Sequence, residues 1–320
     1  NYVLGRRETW VETVDRAVDF LVELTEATTG QRRGEVVEWL RGDGREMMLR
    51  MEALPSMRLL AMAGEPARRQ NLAIYNCSAI CVDDLQVWVE MLIISMSGCG
   101  VGFSVERKYI DKLPSVAMQT GRYVDHVVDD STDGWAEALR LGLQSWFDGV
   151  DVRYDFSQIR PAGAPLKTKG GRASGPDPLR LMLLAIRNII LSRQGQRLRD
   201  TDAHTISCHV GQAAVQGGMR RTAMISLSDA DSTDMARIKQ GNYDPVLWNA
   251  NNSSVWHDGV DDLTILRHFV EMDEGKNGER GIFSRDAAMA TMPERRRQRW
   301  PQGVDAGTNP CQDGFATVLT

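Results

Sequence analysis

The sequence is poor in the features that define whole classes of protein. Its 320 residues include five cysteines, Cys77, Cys81, Cys99, Cys208 and Cys311, at irregular spacings that make no disulfide framework. They make no zinc set either. Cys77 and Cys81 would share a face of a helix or a strand alike, yet no nearby histidine or second pair completes four ligands. Long hydrophobic runs are absent: the most apolar stretch, "LQVWVEMLIISM", is interrupted by Glu90 and falls well short of the roughly 20 residues a membrane-spanning helix needs, so it reads as a buried helix. Positive charge is not in excess. A net charge of −5 and a pI near 5.7 argue against a general nucleic-acid binder, whose affinity comes from cationic contacts to phosphates. The one basic run, "PERRRQRW" (Pro293 to Trp300), reads as a solvated surface segment. No cleavable signal segment, internal repeat or low-complexity linker stands out, and the expected location is the reducing cytoplasm, away from membranes.

What is present is the composition of a soluble globular protein, 42% apolar and 25% charged, long enough for one large domain or two small ones. "TWVETVDRAVDFLVELTEATTG" predicts a first helix with Val11, Val14, Val18, Leu21 and Val22 on one face, a capping box of Thr9 and Glu12, and a stop at Gly30. Further helices are expected through "GEVVEWL" and through "REMMLRMEAL" to Pro55, so residues 1–53 read as a helical cap. Beyond it, short apolar runs alternate with helices: strands in "YNCSAICV", "GVGFSVER", "TAMISLS" and "SSVWH", helices over Leu85 to Met96, Trp135 to Trp146, Pro178 to Leu191 and Asp262 to Met272. That alternation predicts an α/β domain.

Several strings carry chemistry. Gly98, Gly100 and Gly102 in "SGCGVGFSVER" come close to a dinucleotide fingerprint, but that motif needs a strand before and a helix after. Here the order is reversed, so the glycines let a helix turn closely into a strand or let backbone approach a ligand. Cys208 adjoins His209, but neighbours on a helix point apart, and both Cys208 and Cys81 read as buried structural residues. "LKTKGGRASGPDPL" sets Lys167, Lys169 and Arg172 among glycines at a helix entrance, a phosphate site by chemistry, with a plain flexible loop as its rival. "GGMRRTAMISLS" repeats the arrangement with Arg220 and Arg221 before a strand. "NPC" puts Cys311 in a turn after Asn309 and Pro310.

Taken together, "LPSMRLLAMAGE", "YNCS", "GCGVGFSVER", "GGRASGP", "GGMRRTAMISLSD", "NANNSSVW", "GERGIFSRDAA" and "GTNPC" resemble, in order and spacing, the ribonucleotide reductases, and in flavour the adenosylcobalamin-dependent, monomeric ribonucleoside-triphosphate reductases. The resemblance runs from Leu54 to Cys311. It implies the first half of a ten-stranded α/β barrel over 54–310, with a finger loop through the centre that carries the "NPC" cysteine. It implies that Cys311 is the thiyl-radical cysteine, formed through a deoxyadenosyl radical, which takes the ribose 3′ hydrogen before the 2′ hydroxyl leaves as water. Cys77 matches the reductant cysteine and Asn309 the asparagine that hydrogen-bonds the ribose. Ser56, with Asn76 and Ser78, falls among the substrate-binding positions. The loop of Lys167, Lys169, Gly170, Gly171, Arg172 and Ser174 resembles the segment joining the allosteric nucleotide to the substrate base. The implied partners are a ribonucleoside triphosphate, a deoxynucleotide effector, a thioredoxin-like reductant and the rest of the reductase.

The sequence also departs from that family. Asp313 stands where the family has a glutamate, and "GFATVLT" does not resemble the next strand. The cysteine partner of Cys77, the second half of the barrel and the C-terminal cysteine pair are missing. "CQDGFATVLT" (residues 311–320) resembles instead the opening of an intein, which would make Cys311 the nucleophile of an N-to-S acyl shift on the Pro310 carbonyl. Other readings are a large subunit whose radical comes from a partner protein and an inactive nucleotide-binding module. A half barrel by itself is expected to be marginally stable and catalytically inert.

Overall fold

The computed structural model describes residues 6–28, 32–165, 172–217, 223–300, 305–311 and 315–316. It divides into two compact units, Asn1–Asn76 and Cys77–Thr320. The boundary lies beyond the change of texture near residue 54, so the helices that follow Pro55 pack with the N-terminal unit.

That first unit is helical: α1 (Trp10–Ala27), α2 (Arg33–Trp39), a π-helical turn at Leu40–Gly44, α3 (Arg45–Leu49), α4 (Met57–Met62), α5 (Glu65–Arg69) and a 3-10 turn at Asn71–Ile74. The capping box forms as expected: Thr9 Oγ1 accepts from Glu12 N, and Glu12 Oε2 accepts from Thr9 N at 2.8 Å. Such a cap contributes about 1 kcal/mol. Val14, Val18 and Val22 pack on Leu40 and Met48, while Ala17 and Phe20 pack on Leu60, Ala63 and Ala67. Val11, expected on the buried face, is 47% exposed because the core sits further round the helix. The stop at Gly30 lies outside the described residues. The third helix ends at Leu49, short of Pro55, where Met51 takes the left-handed backbone that terminates helices. Arg16 closes the unit by donating to Leu60 O and Ala63 O, both at 2.8 Å, which satisfies carbonyls that the end of α4 leaves open.

The second unit is built on a five-stranded sheet, β1 (Cys77–Cys81), β2 (Gly100–Ser104), β5 (Met224–Asp229), β6 (Ala250–Trp256) and β7 (Gly281–Ser284), in the order β1-β2-β5-β6-β7 and parallel throughout. A separate parallel pair joins β3 (Tyr123–Val127) to β4 (Asp151–Asp155). The helices are α6 (Gln86–Met96), α7 (Arg107–Ile110), α8 (Thr132–Phe147), α9 (Asp177–Leu191), α10 (Asp200–Gln216), α11 (Thr233–Arg237), α12 (Asp262–Gly275), α13 (Arg285–Thr291) and α14 (Glu294–Arg297). Two short strands, β8 (Gly307–Thr308) and β9 (Phe315–Ala316), pair antiparallel with each other.

The "LQVWVEMLIISM" stretch is the buried helix its composition implied: Trp88, Met91 and Leu92 of α6 are fully buried. Trp88 Nε1 donates to Ser207 Oγ of α10 at 3.0 Å, so the one polar atom of the ring is satisfied. Helix α10 was not evident from periodicity, because its inner face is made of small and polar residues, among them Ala203, Ser207, Gly211 and Ala214. Those residues bring it close to the sheet. A Cβ at Gly211 would stand 2.2 Å from Met224 Sδ. Among the described residues no helix is long and apolar enough to cross a membrane.

Candidate functional site

Alternation along a strand decides which side chains meet. In β2, Val101 and Phe103 face the helices, and the Phe103 ring lies 5.7 Å from that of His204 on α10. Gly100, Gly102 and Ser104 therefore face the other way. The register pairs them with Cys77, Ala79 and Cys81 of β1.

Over this face the chain returns as residues 305–311, and the glycines of "GCGVGFS" make room for it. A Cβ at Gly102 would lie 1.9 Å from Thr308 O, and one at Gly100 would lie 3.1 Å from Cys77 Sγ and 3.2 Å from Pro310 Cγ. The expectation of a close backbone approach holds, and the approaching group is the chain itself. The fingerprint reading stays excluded, with α6 before the glycines and β2 after them.

The crossing ends with Cys311 Sγ 3.0 Å from Cys77 Sγ, two thiols 234 residues apart in sequence. This is hydrogen-bonding distance, well beyond the about 2.05 Å of a disulfide. Cys311 is exposed and Cys77 half-buried. Asn309, two residues earlier, is buried, and among the described residues its Oδ1 has no hydrogen-bond partner. An orphaned buried acceptor costs about 1–3 kcal/mol.

A polar network grips the base of this segment. Arg285, the first residue of α13, donates from Nη1 and Nη2 to Glu106 Oε1 and Oε2 at 2.8 and 2.6 Å, and from Nε to Ala306 O at 3.1 Å. The pair is almost wholly buried, and Ser104 Oγ donates to Glu106 Oε2 at 2.7 Å. Burial raises the Glu106 carboxyl, but the Arg285 fork and Ser104 outweigh it and hold Glu106 below its ordinary value. Removing one partner of such a pair strands the other charge, at a cost of about 3–5 kcal/mol. Beside it, Tyr109 OH donates to Asp305 Oδ2 at 2.6 Å, and Lys108 pairs with the same oxygen. Burial raises Asp305, and these two donors outweigh it and hold the group low.

The other expected residues are scattered. Ser78 is buried and donates to Gly100 O at 3.3 Å. Ser56 and Asn76 belong to the N-terminal unit, where Ser56 Oγ caps α4 by accepting from Leu59 N and Asn76 is exposed. Arg172 forms an isolated antiparallel bridge with Pro165, its Nη1 donates to Gly163 O at 3.1 Å, and Ser174 Oγ donates to Gly175 O at 3.2 Å. Lys167, Lys169, Gly170, Gly171, Arg220, Arg221 and Asp313 lie outside the described residues. Cys81 and Cys208 are buried as expected, their thiols pushed up by burial to about 11 and about 12. Cys208 Sγ meets His204 Nε2 at 3.6 Å, one helical turn away, rather than its neighbour His209. Glu106, Tyr109, Arg285 and Asp305 were not singled out from sequence. The only signal was that "SVER" and "FSR" fell inside strings of the resemblance, with no spacing to connect them.

Among the described residues no group of three histidine, cysteine or acidic side chains could hold a metal ion. Residues 97–190 match the family model described as the insertion domain of B12-dependent ribonucleotide reductase. The chain is 28% identical to an adenosylcobalamin-dependent ribonucleoside-triphosphate reductase of Lacticaseibacillus paracasei, over 96% of this chain and 49% of that protein. It is likewise 28% identical to the enzyme of that name from Euglena gracilis, over 96% of this chain and 44% of the other. A crystal structure of a B12-dependent, class II ribonucleotide reductase superposes with a TM-score of 0.77 at 24% identity, over 96% of this chain and 50% of that one. The chain thus spans about half the length of the curated relatives it matches. The fold likeness agrees with the expected α/β barrel half and the helices that precede it. In sequence along nearly its whole length and in fold, the chain is similar to the adenosylcobalamin-dependent ribonucleotide reductases.

Proposed function

We propose that this chain is the part of an adenosylcobalamin-dependent ribonucleoside-triphosphate reductase that carries the reacting thiols. The observation that bears most weight is the 3.0 Å approach of Cys77 and Cys311. In this reading the Cys311 sulfur takes the ribose 3′ hydrogen and later returns it. Cys77 protonates the departing 2′ hydroxyl, which leaves as water. The two electrons come from Cys77 and a second thiol that the longer protein supplies, the pair ending as a disulfide. The orphaned Oδ1 of Asn309 accepts from a ribose hydroxyl, which recovers the cost of its burial.

The chain's fit to the cofactor lies at the thiol. A corrin would bring its own nitrogen ligands to the cobalt, so the absence of a metal-holding cluster among the described residues is no obstacle, and Cys311 is exposed where a bound group can reach it. When bound, adenosylcobalamin supplies the one-electron chemistry that removes the hydrogen atom of a thiol. The substrate is a ribonucleoside triphosphate, the Lys167–Ser174 loop takes a deoxynucleotide effector, and a thioredoxin-like dithiol resets the cysteines in a reducing cytoplasm. The test is reduction of ribonucleoside triphosphates by the full-length protein with adenosylcobalamin and a dithiol. Cys77→Ser and Cys311→Ser should each abolish it; full activity in Cys77→Ser would overturn the assignment.

A second reading concerns residues 311–320. Gly307–Thr308 pairs antiparallel with Phe315–Ala316, and Cys311, the residue after Pro310, is exposed. That arrangement suits an intein's first cysteine, with the cysteine that follows the intein taking its position after splicing. Expression of the whole reading frame separates the two, because an intein leaves a product shorter than the frame and Cys311→Ala accumulates the unspliced precursor. If Cys311 is the radical cysteine, both proteins keep the full mass.

A further inference from the structure

The segment that presents Cys311 is held in an unusual way. Among the described residues no backbone hydrogen bond ties 305–311 to the five-stranded sheet beneath it, since β8 pairs only with β9. Side chains do the work instead. Arg285 follows the end of β7 and Glu106 follows the end of β2, with β5 and β6 between them. Their fork therefore bridges across two strands, and the Nε–H of Arg285 closes on Ala306 O. One residue earlier, Tyr109 and Lys108 of α7 hold Asp305. On the underside, the bare Gly102 lets Thr308 O settle onto β2.

We propose that Glu106 and Arg285, with Tyr109 on Asp305, form a clasp that positions the thiol of residue 311 against Cys77, and that these are positioning residues of the thiol pair. This rests on the proposed reductase function only for its purpose. The geometry it predicts can be measured without turnover. Glu106 fixes the Arg285 fork, Arg285 fixes the Ala306 carbonyl, and the sulfur follows five residues on. With the clasp open, the segment keeps its sequence but loses its registration over β1.

The test is the rate at which diamide converts the Cys77 and Cys311 thiols of the full-length protein to a disulfide, the two hydrogens passing to the diazene, read by peptide mass mapping. The double variant Glu106→Met with Arg285→Met removes both buried charges together and keeps apolar volume, so the sheet stays folded. Its pairing rate should fall about 100-fold, the scale on which a misplacement near 1 Å acts. Arg285→Lys, which keeps the charge but cannot fork, should fall in between. Tyr109→Phe and Asp305→Asn, which loosen only the Asp305 end of the clasp, give a milder loss and serve if the double variant does not fold. In turnover the same variants should lower kcat with KM unchanged. A folded clasp variant that pairs its thiols at the wild-type rate overturns the clasp, whatever the turnover assay shows. Slowed pairing in a protein that reduces no nucleotide keeps the clasp and overturns the reductase reading.

Discussion

The two edges of the central sheet are opposites. At the β1 edge, Cys77–Cys81 is buried for four of its five residues, and the β1–β2 face is covered by helices on one side and by residues 305–311 on the other. At the β7 edge, Gly281–Ser284 is largely exposed, Ile282 keeps 45% of its surface in solvent, and the nearby α12 shows Leu266, Phe269 and Val270 each more than half exposed. One edge is finished and carries the two thiols. The other is open, a short exposed parallel edge of the kind proteins normally cover. The thiol pair lies where backbone and side chains are over-determined, and the uncovered edge lies away from it.

The largest effect should come from emptying the finished end. Trp88→Ala in α6 removes a fully buried ring and its bond to Ser207, and should cost about 4 kcal/mol in urea unfolding. The next should come from acid. Burial, with a smaller push from Lys239, drives the His204 imidazole down to about 3, so it stays neutral in the fold. Unfolded, it takes a proton near pH 6.5, so the unfolded state binds more protons over the window from there down to about 3, and stability falls with pH across it. About 3 kcal/mol should be lost between pH 7 and 4 from this group, and His204→Leu should flatten that slope in a series of urea midpoints.

A matched pair of glycine substitutions sharpens the contrast. Gly102→Ala drives a methyl to 1.9 Å from Thr308 O, backbone that cannot yield, and should cost about 2 kcal/mol while slowing Cys77–Cys311 pairing. Gly281→Ala meets only the rotatable Ser253 Oγ at 3.0 Å, and should cost under about 1 kcal/mol with pairing unchanged. Equal losses at both sites would break the distinction between the edges. The smallest change is expected on α12, where Leu266→Lys should leave stability within about 0.5 kcal/mol and reduce self-association of the 320-residue chain in sedimentation.

Much of this fold was legible because its elements are strongly patterned. Helix α1 announces itself by its capping box, α6 by an apolar run interrupted by Glu90, and the inner strands by short runs of β-formers. Elements without such a signal went unseen. Strands β3 and β7 are largely exposed, and α10 is packed through small residues that carry no hydrophobic period. At the candidate site, "YNCS" and "NPC" could be read separately, and so could the glycines between them. That the glycines clear a path for residues 307–310 could not be read, because the clearance is a contact between segments some two hundred residues apart.

By itself the sequence determined which local structures form and which residues could do chemistry: two thiols in turn or strand contexts, glycines where backbone must come close, and an asparagine beside a proline and a cysteine. Only the tertiary structure decided that Cys77 and Cys311 meet, that Asn309 Oδ1 finds no partner among the described residues, and that Arg285 reaches across two strands to Glu106 while also bonding the Ala306 carbonyl. The physical reason is range. Helix caps, apolar periods and turn residues act within a few positions, whereas a 3.0 Å approach over a separation of 234 residues is set by how parallel strands order themselves and by what they leave room for.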